Sequence, residues 1–138
     1  MKIFIDTSAF ISYFLKQDSL HSSIVKCYTA YQKQKAIFVT SDYILDELFT
    51  WFTSHQSQEG TNRVIQAINK IIDQRGVEVI FIDKEIFEKT QKIFLKFSDH
   101  KISFTDATTY VLYKEYKLDE IFTLDSDFQK MRLRTSLH

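Results

Sequence analysis

Four short runs rich in Ile, Phe and Val, set apart by longer stretches of helical periodicity, constrain this chain more than any other feature. The runs are residues 2–5 (KIFI), 36–40 (AIFVT), 77–82 (VEVIFI) and 120–124 (EIFTL). Each is short for a helix and mostly apolar on successive residues, the pattern of a strand covered on both faces. Between them the apolar residues recur at helical spacing. Residues 42–53 carry Ile44, Leu45, Leu48, Phe49 and Phe52 behind Ser41, a candidate N-cap. Residues 62–74 carry Val64, Ile65, Ile68, Ile71 and Ile72, with Gly76 where a C-terminal cap belongs. Residues 84–98 place Ile86, Phe87, Ile93, Phe94 and Phe97 on one face, opposite Lys and Glu. Residues 105–116 form a further helix behind Thr105, and residues 19–34 carry a weaker helical pattern.

Alternating strands and helices predict an α/β fold, a three-layer α/β/α sandwich around a mainly parallel sheet. No repeat or linker interrupts the chain, so residues 1–138 read as a single domain. In such folds ligands bind where strands end and loops turn into helices. The chemistry is therefore sought among polar residues at strand exits and helix starts.

Composition removes several competing classes. Two glycines, Gly60 and Gly76, are too few and too far apart for a glycine-rich phosphate loop. Cys27 is the one cysteine, so no disulfide framework exists and a reducing, cytoplasmic setting is expected. No apolar run approaches the roughly 20 residues of a membrane span. The opening Met-Lys-Ile-Phe-Ile-Asp reaches an acid too early for a signal peptide. Eighteen Lys+Arg balance eighteen Asp+Glu, so net charge alone offers no reason for a nucleic-acid partner.

The acids are distributed less evenly. Asp6 directly follows the first strand, with Thr7 and Ser8 after it, and Asp125 and Asp127 follow the fourth in TLDSDF. Asp106 sits in the first turn of the helix opening at SFTDA, and Glu47 lies about one 100° step off the apolar stripe of its helix. Each has a local alternative. Asp106 suits the positive end of a helix macrodipole, Asp127 suits a turn cap, and Glu47 suits a solvated helix face. Asp6, between Ile5 and two hydroxyls at a buried strand's exit, is harder to explain by solubility. Several acids at one sheet edge repel one another unless a cation neutralises them. Oxygen ligands without His or Cys suit Mg²⁺ or Mn²⁺, so the residues point to metal-dependent phosphoryl transfer.

The segments KIFIDTSAF, SDYILDEL, SFTDA and TLDSDF, in this order, resemble PIN-domain ribonucleases, above all the small VapC-type toxins of toxin–antitoxin pairs. The resemblance implies a PIN-like fold in which Asp6, Glu47, Asp106 and Asp125 bind one or two Mg²⁺ or Mn²⁺ ions, with Asp127 as a further ligand. It leaves open which of Asp125 and Asp127 lies closer to the metal. Thr7, Ser8 and Thr123 fall where the family carries hydroxyls that support the acids. The implied reaction is hydrolysis of an RNA phosphodiester by water activated at the metal, with Glu47 or a neighbouring acid taking the proton and a 5′-phosphate as one product. The implied partners are an RNA substrate, a cognate antitoxin and a second copy of the chain in a homodimer, with no membrane. Tyr43, Trp51 and Phe52 are candidates for those protein contacts. Two alternatives stand beside this reading: an RNA-processing PIN nuclease without an antitoxin, and a catalytically silent PIN-like binding module.

A neutral chain still needs cations where it meets RNA. Residues 130–134 alternate Lys130, Arg132 and Arg134 with Met131 and Leu133, the period of a strand with one cationic face. An edge strand guarded by charge has the same pattern. With Lys101, just before SFTDA, these are the candidate phosphate contacts. If bound cations offset the acidic cluster, the remaining surface is mildly basic. The other chemistry-bearing residues read as structural: Asp83 as the N-cap of helix 84–98, Asp42 as a first-turn acid, Asp46 as solvated, Cys27 as a buried thiol. His21, His55, His100 and His138 share no metal-ligand spacing and read as surface residues.

Overall fold

Parallel strands dominate because every pair of consecutive strands is joined through helices. A computed structural model describes residues 1–137. Its elements run β1 (Lys2–Ile5), α1 (Thr7–Phe14), α2 (His21–Lys33), β2 (Ile37–Ser41), α3 (Asp42–His55), α4 (Gln58–Asp73), β3 (Glu78–Ile80), α5 (Lys84–Lys96), α6 (Phe104–Glu115), β4 (Glu120–Phe122) and α7 (Asp127–Lys130), with a 3₁₀ turn at Ser98–His100. The sheet has the order β3-β2-β1-β4, and every pairing is parallel. The chain therefore reverses direction across the sheet between β1 and its two neighbours, and the ends of β1 and β4 flank that switch point, where open α/β sheets bind ligands. Helices around this parallel sheet give the α/β architecture expected from the sequence.

The core follows from the apolar runs. Ile3 and Phe4 of β1, Ile44 and Leu48 of α3, Leu112 of α6, Ile121 of β4 and Phe128 of α7 are essentially without solvent contact. Each such side chain contributes about 1.5–3 kcal/mol relative to exposure. Phe52 belongs to this core, at 3% exposure, and is not free for a protein contact; Tyr43 and Trp51 are half-buried. The expected caps are present at Ser41, which accepts the Ile44 amide, and at Asp83, which accepts the Ile86 amide. Asp42 also accepts the Ile82 amide at 3.0 Å, tying the start of α3 to the segment after β3. Cys27 is half-buried rather than buried, and His21 is half-buried with its ring bonded to the Ser12 carbonyl. His55 and His100 are exposed, and His138 lies outside the described residues.

Two local expectations are corrected, and one helix lies where the sequence carries no periodic signal. Gly76 does not supply the left-handed residue after α4; Arg75 does, with φ of 60°. The Gly76 amide bonds instead to the Ile71 carbonyl at 2.8 Å, and a Cβ there would lie 3.0 Å from the Ile71 side chain. Helix α1 was not anticipated, because an eight-residue helix directly after a strand is too short to display a full apolar stripe. Residues 130–134 are not a strand. The chain forms α7, turns through Arg132 in the left-handed conformation and returns beside β4 through a single bridge between Ile121 and Thr135. Burial does alternate there, since Met131, Leu133 and Thr135 are buried, but the backbone between them is a helix end and a turn.

Candidate metal and active site

Asp6 occupies the N-cap position of α1, yet its side chain makes no capping bond. It is turned into the cleft beyond β1, where Oδ2 accepts the Thr123 hydroxyl at 2.7 Å and the Ser8 hydroxyl at 2.9 Å. Its own amide donates to the Phe122 carbonyl, continuing the β1–β4 ladder by one step. Asp6 is 5% exposed, and burial pushes its pKa up to about 6 in spite of the hydroxyl bonds that favour the charged form.

β4 delivers the second group. The Thr123 hydroxyl also accepts the Asp125 amide at 2.9 Å, and Asp125 Oδ1 accepts the Asp127 amide at 2.8 Å. Ser8 Oγ accepts the Leu124 amide at 2.9 Å, so α1 clamps the loop that carries both acids. Asp106 arrives from α6, fixed by a capping box: Ser103 Oγ accepts the Asp106 amide, and Asp106 Oδ2 accepts the Ser103 amide. Its pKa is pushed up to about 7, first by desolvation and then by the charge of Asp6, with Asp125 adding to it. Helix α3 contributes Glu47, whose Oε1 accepts the Thr7 hydroxyl at 2.8 Å.

These residues line one open cleft of about 390 Å³, formed by Asp6, Thr7, Ser8, Ile11, Glu47, Lys101, Ser103, Asp106, Asp125 and Asp127. Five carboxylates thus face one lysine across the cleft. Asp106, Asp125 and Asp127 can each place an oxygen so that all three lie within 4.8 Å of one another. Hard oxygen donors, raised pKa values at Asp6 and Asp106, and only Lys101 and Lys130 to offset five carboxylates fit Mg²⁺ or Mn²⁺.

The five expected acids and the three expected hydroxyls therefore meet at the carboxyl edge of the sheet. The expected cations do not all join them. Lys101 lines the cleft, and Lys130 reaches its edge only through a 2.9 Å bond to Asp127. Arg132 and Arg134 are not part of the lining: the chain turns at Arg132 and pairs with the middle of β4, where the Arg134 carbonyl accepts the Ile121 amide. Ser103 was missed as a cleft residue. Its signal is the Ser-x-x-Asp spacing of SFTD, which marks a helix start in which the acid is held in place.

The model of the PIN domain matches residues 3–133. No curated protein matches the chain at a significant level. Among solved structures, VapC20 of Mycobacterium tuberculosis, described as a sarcin-ricin loop cleaving toxin, superposes with a TM-score of 0.81 at 17% identity over 95% of each chain. VapBC2 of Rickettsia felis, bound to a DNA fragment from its promoter, gives 0.73 at 14% identity, covering 99% of this chain and 98% of that one. DNA-bound VapBC of Salmonella typhimurium gives 0.70 at 16% identity, covering 99% and 97%. At these identities the superpositions speak to the fold, and the family match spans almost the whole sequence: this chain belongs to the PIN domain family.

Proposed function

We propose that this protein is a metal-dependent endoribonuclease and the toxin of a toxin–antitoxin pair. The observation that carries the reading is the convergence of Asp6, Asp106, Asp125 and Asp127 with Glu47 in one cleft at the sheet's carboxyl edge. Acids held this close, two of them with raised pKa values, are costly to the fold and become favourable when a cation binds. A Mg²⁺ or Mn²⁺ ion there supplies Lewis acidity to a phosphodiester oxygen and lowers the pKa of a water.

The chain's own residues divide the remaining work. Asp106, Asp125 and Asp127 form the ligand set, and Asp6 is aimed beside it by Thr123 and Ser8. Glu47 keeps one oxygen on Thr7 and has the other free to accept a proton from the attacking water. Lys101, at the rim, meets a substrate phosphate. The partner proteins of this reading also have surfaces to meet. A groove of about 720 Å³ with Ile37 and Phe81 exposed at 54% and 69% supports an antitoxin contact. Phe87 and Phe94, exposed at 39% and 37% on the side of α5 turned away from Lys92, support contact with a second copy.

The test is cleavage of RNA by the purified protein with Mn²⁺ or Mg²⁺. Cleavage that disappears with EDTA and with Asp6→Asn, while the variant keeps its fold, is the expected result. Cleavage insensitive to both ends the metal assignment, and no cleavage by the folded wild type leaves the binding-module alternative.

A further inference from the structure

We infer that the surface of α5 and α6 leading away from the cleft is the track that grips single-stranded RNA, with Tyr110 stacking a base and Lys92, Lys101 and Lys114 meeting phosphates. This rests on the ribonuclease reading and adds to it the residues that hold the strand.

The argument begins with helix geometry. Asp106 stands in the first turn of α6, and residues four apart lie on nearly the same face. Tyr110 is thus about 6 Å along the helix from Asp106, and Lys114 about 6 Å beyond Tyr110. A groove of about 300 Å³ between the helices is lined by Lys89, Lys92, Tyr110, Lys114 and Glu115, with Ile93 and Val111 between them. All three lysine–aromatic contacts among the described residues fall on this surface. Lys96 lies 5.4 Å from the Phe97 ring centre, and Lys114 lies 5.5 Å from Tyr110 and 5.8 Å from Tyr113. Phe97 and Tyr110 are themselves 5.3 Å apart, so lysines and rings form one continuous stripe.

Charge favours a polyanion on this stripe. Its helix acids, Glu85, Glu88 and Glu115, are each engaged by a lysine: Glu85 and Glu115 by Lys89, at 3.2 Å and 2.6 Å, and Glu88 by Lys84 at 4.0 Å. Among the described residues Lys92, Lys96, Lys101 and Lys114 make no salt bridge. Free cations beside half-buried rings are what a sequence-tolerant single-strand groove requires, since bases stack on the rings while phosphates meet the lysines. A base stacked on Tyr110 displaces Lys114 from that ring toward the adjoining phosphate. The segment carrying Arg132 and Arg134 does not line the cleft.

The test measures binding of a fluorescein-labelled single-stranded oligouridine in EDTA, by anisotropy across a salt series, alongside Mn²⁺-dependent cleavage. The double variant Lys92→Ala/Lys114→Ala should bind about tenfold more weakly at low salt. Its plot of log affinity against log salt should be shallower by about 1.4, the value for two phosphate contacts on a single strand. Tyr110→Leu should weaken binding about tenfold with the slope unchanged, while Tyr110→Phe, which keeps the ring, binds like the wild type. Wild-type binding, slope and cleavage in the lysine variant overturn the track and leave the nuclease reading standing. Variants that instead alter the oligomeric state, with RNA binding intact, identify the surface as a protein contact and also overturn it. A folded wild type that neither binds nor cleaves RNA removes the nuclease reading, and the track with it.

Discussion

Thr123 at the exit of β4 donates its hydroxyl to Asp6 at 2.7 Å and accepts the Asp125 amide at 2.9 Å. One fully buried side chain therefore spaces two acids from different strands. It favours the charged form of Asp6, which burial opposes, and it fixes the backbone that presents Asp125. The hydroxyl holds like charges close together, an arrangement that makes sense for a site built to receive a cation.

Replacing Thr123 with Val keeps the shape and removes both bonds. The Asp125 amide loses its partner, so stability should fall by about 1–2 kcal/mol. With Asp6 no longer supported in its charged form, Mn²⁺ affinity should fall about tenfold, the lower end of what loss of a group behind a metal ligand causes. Titration calorimetry on the folded variant measures this. Thr123→Ser restores both bonds and should restore the affinity; a Val variant with wild-type affinity would show that the hydroxyl merely fills space.

Asp106 is a liability to the metal-free fold. Its pKa of about 7 reflects desolvation and the charge of Asp6, and both disappear when the side chain is neutral. Asp106→Asn keeps an oxygen for the Ser103 amide, so the capping box survives. In EDTA at pH 8 the variant should be more stable than wild type, by about 1–2 kcal/mol, while losing cleavage and losing the stabilisation that Mn²⁺ gives the wild type. Denaturant melts with and without Mn²⁺ read both effects. A variant less stable than wild type in EDTA would contradict the electrostatic account.

The same shifts set a pH dependence. Both acids have folded pKa values above the ordinary 3.8, at about 6 for Asp6 and about 7 for Asp106. Between pH 4 and pH 7 the folded protein holds protons that the unfolded chain has released, so stability falls as pH rises through this window. Asp6 alone accounts for a loss on the order of 3 kcal/mol. The metal-free protein should accordingly be more stable at pH 5 than at pH 8, and saturating Mn²⁺ should remove that difference by holding the carboxylates ionised in the folded state. Melting temperatures that rise from pH 5 to pH 8 in EDTA would count against it.

How much of this was legible in the sequence depended on whether a signal was local. The strands were visible as short apolar runs, and Ser41 and Asp83 as caps followed by apolar periodicity. The acids were visible because Asp6 directly follows β1 and Asp125 comes three residues after the end of β4, positions the α/β rule makes informative. Thr123 could be named as a supporting hydroxyl through the resemblance, but no local pattern shows its bond to Asp6, which joins residues 117 apart. Residues 130–134 misled because burial alternates at Met131, Leu133 and Thr135 while the backbone passes through a helix end and a left-handed residue. Period two reports which side chains are covered, and a strand is only one way to cover them.

That left-handed residue belongs to a set. Lys35, Arg75, Lys101, Lys117 and Arg132 all have positive φ, between 51° and 61°, and no glycine does. Four of them follow helices α2, α4, α6 and α7, whose ends are closed by paired bonds such as Leu118 amide to Tyr113 carbonyl at 3.0 Å and Ala36 amide to Tyr31 carbonyl at 3.1 Å. A lysine there gains a little from the helix dipole but strains its Cβ against the backbone, by about 1–2 kcal/mol. Glycine removes that strain while gaining unfolded-state freedom worth about 0.5–1 kcal/mol. The strain exceeds the opposing effects, so Lys35→Gly and Lys117→Gly should each stabilise the protein by about 0.5 kcal/mol and together by about twice that, since they close different helices. Neither residue lines the cleft, so RNA cleavage should be unchanged. Denaturant midpoints are the measurement, and a fall in midpoint for both variants would mean that these lysines contribute more through charge than they cost through backbone strain.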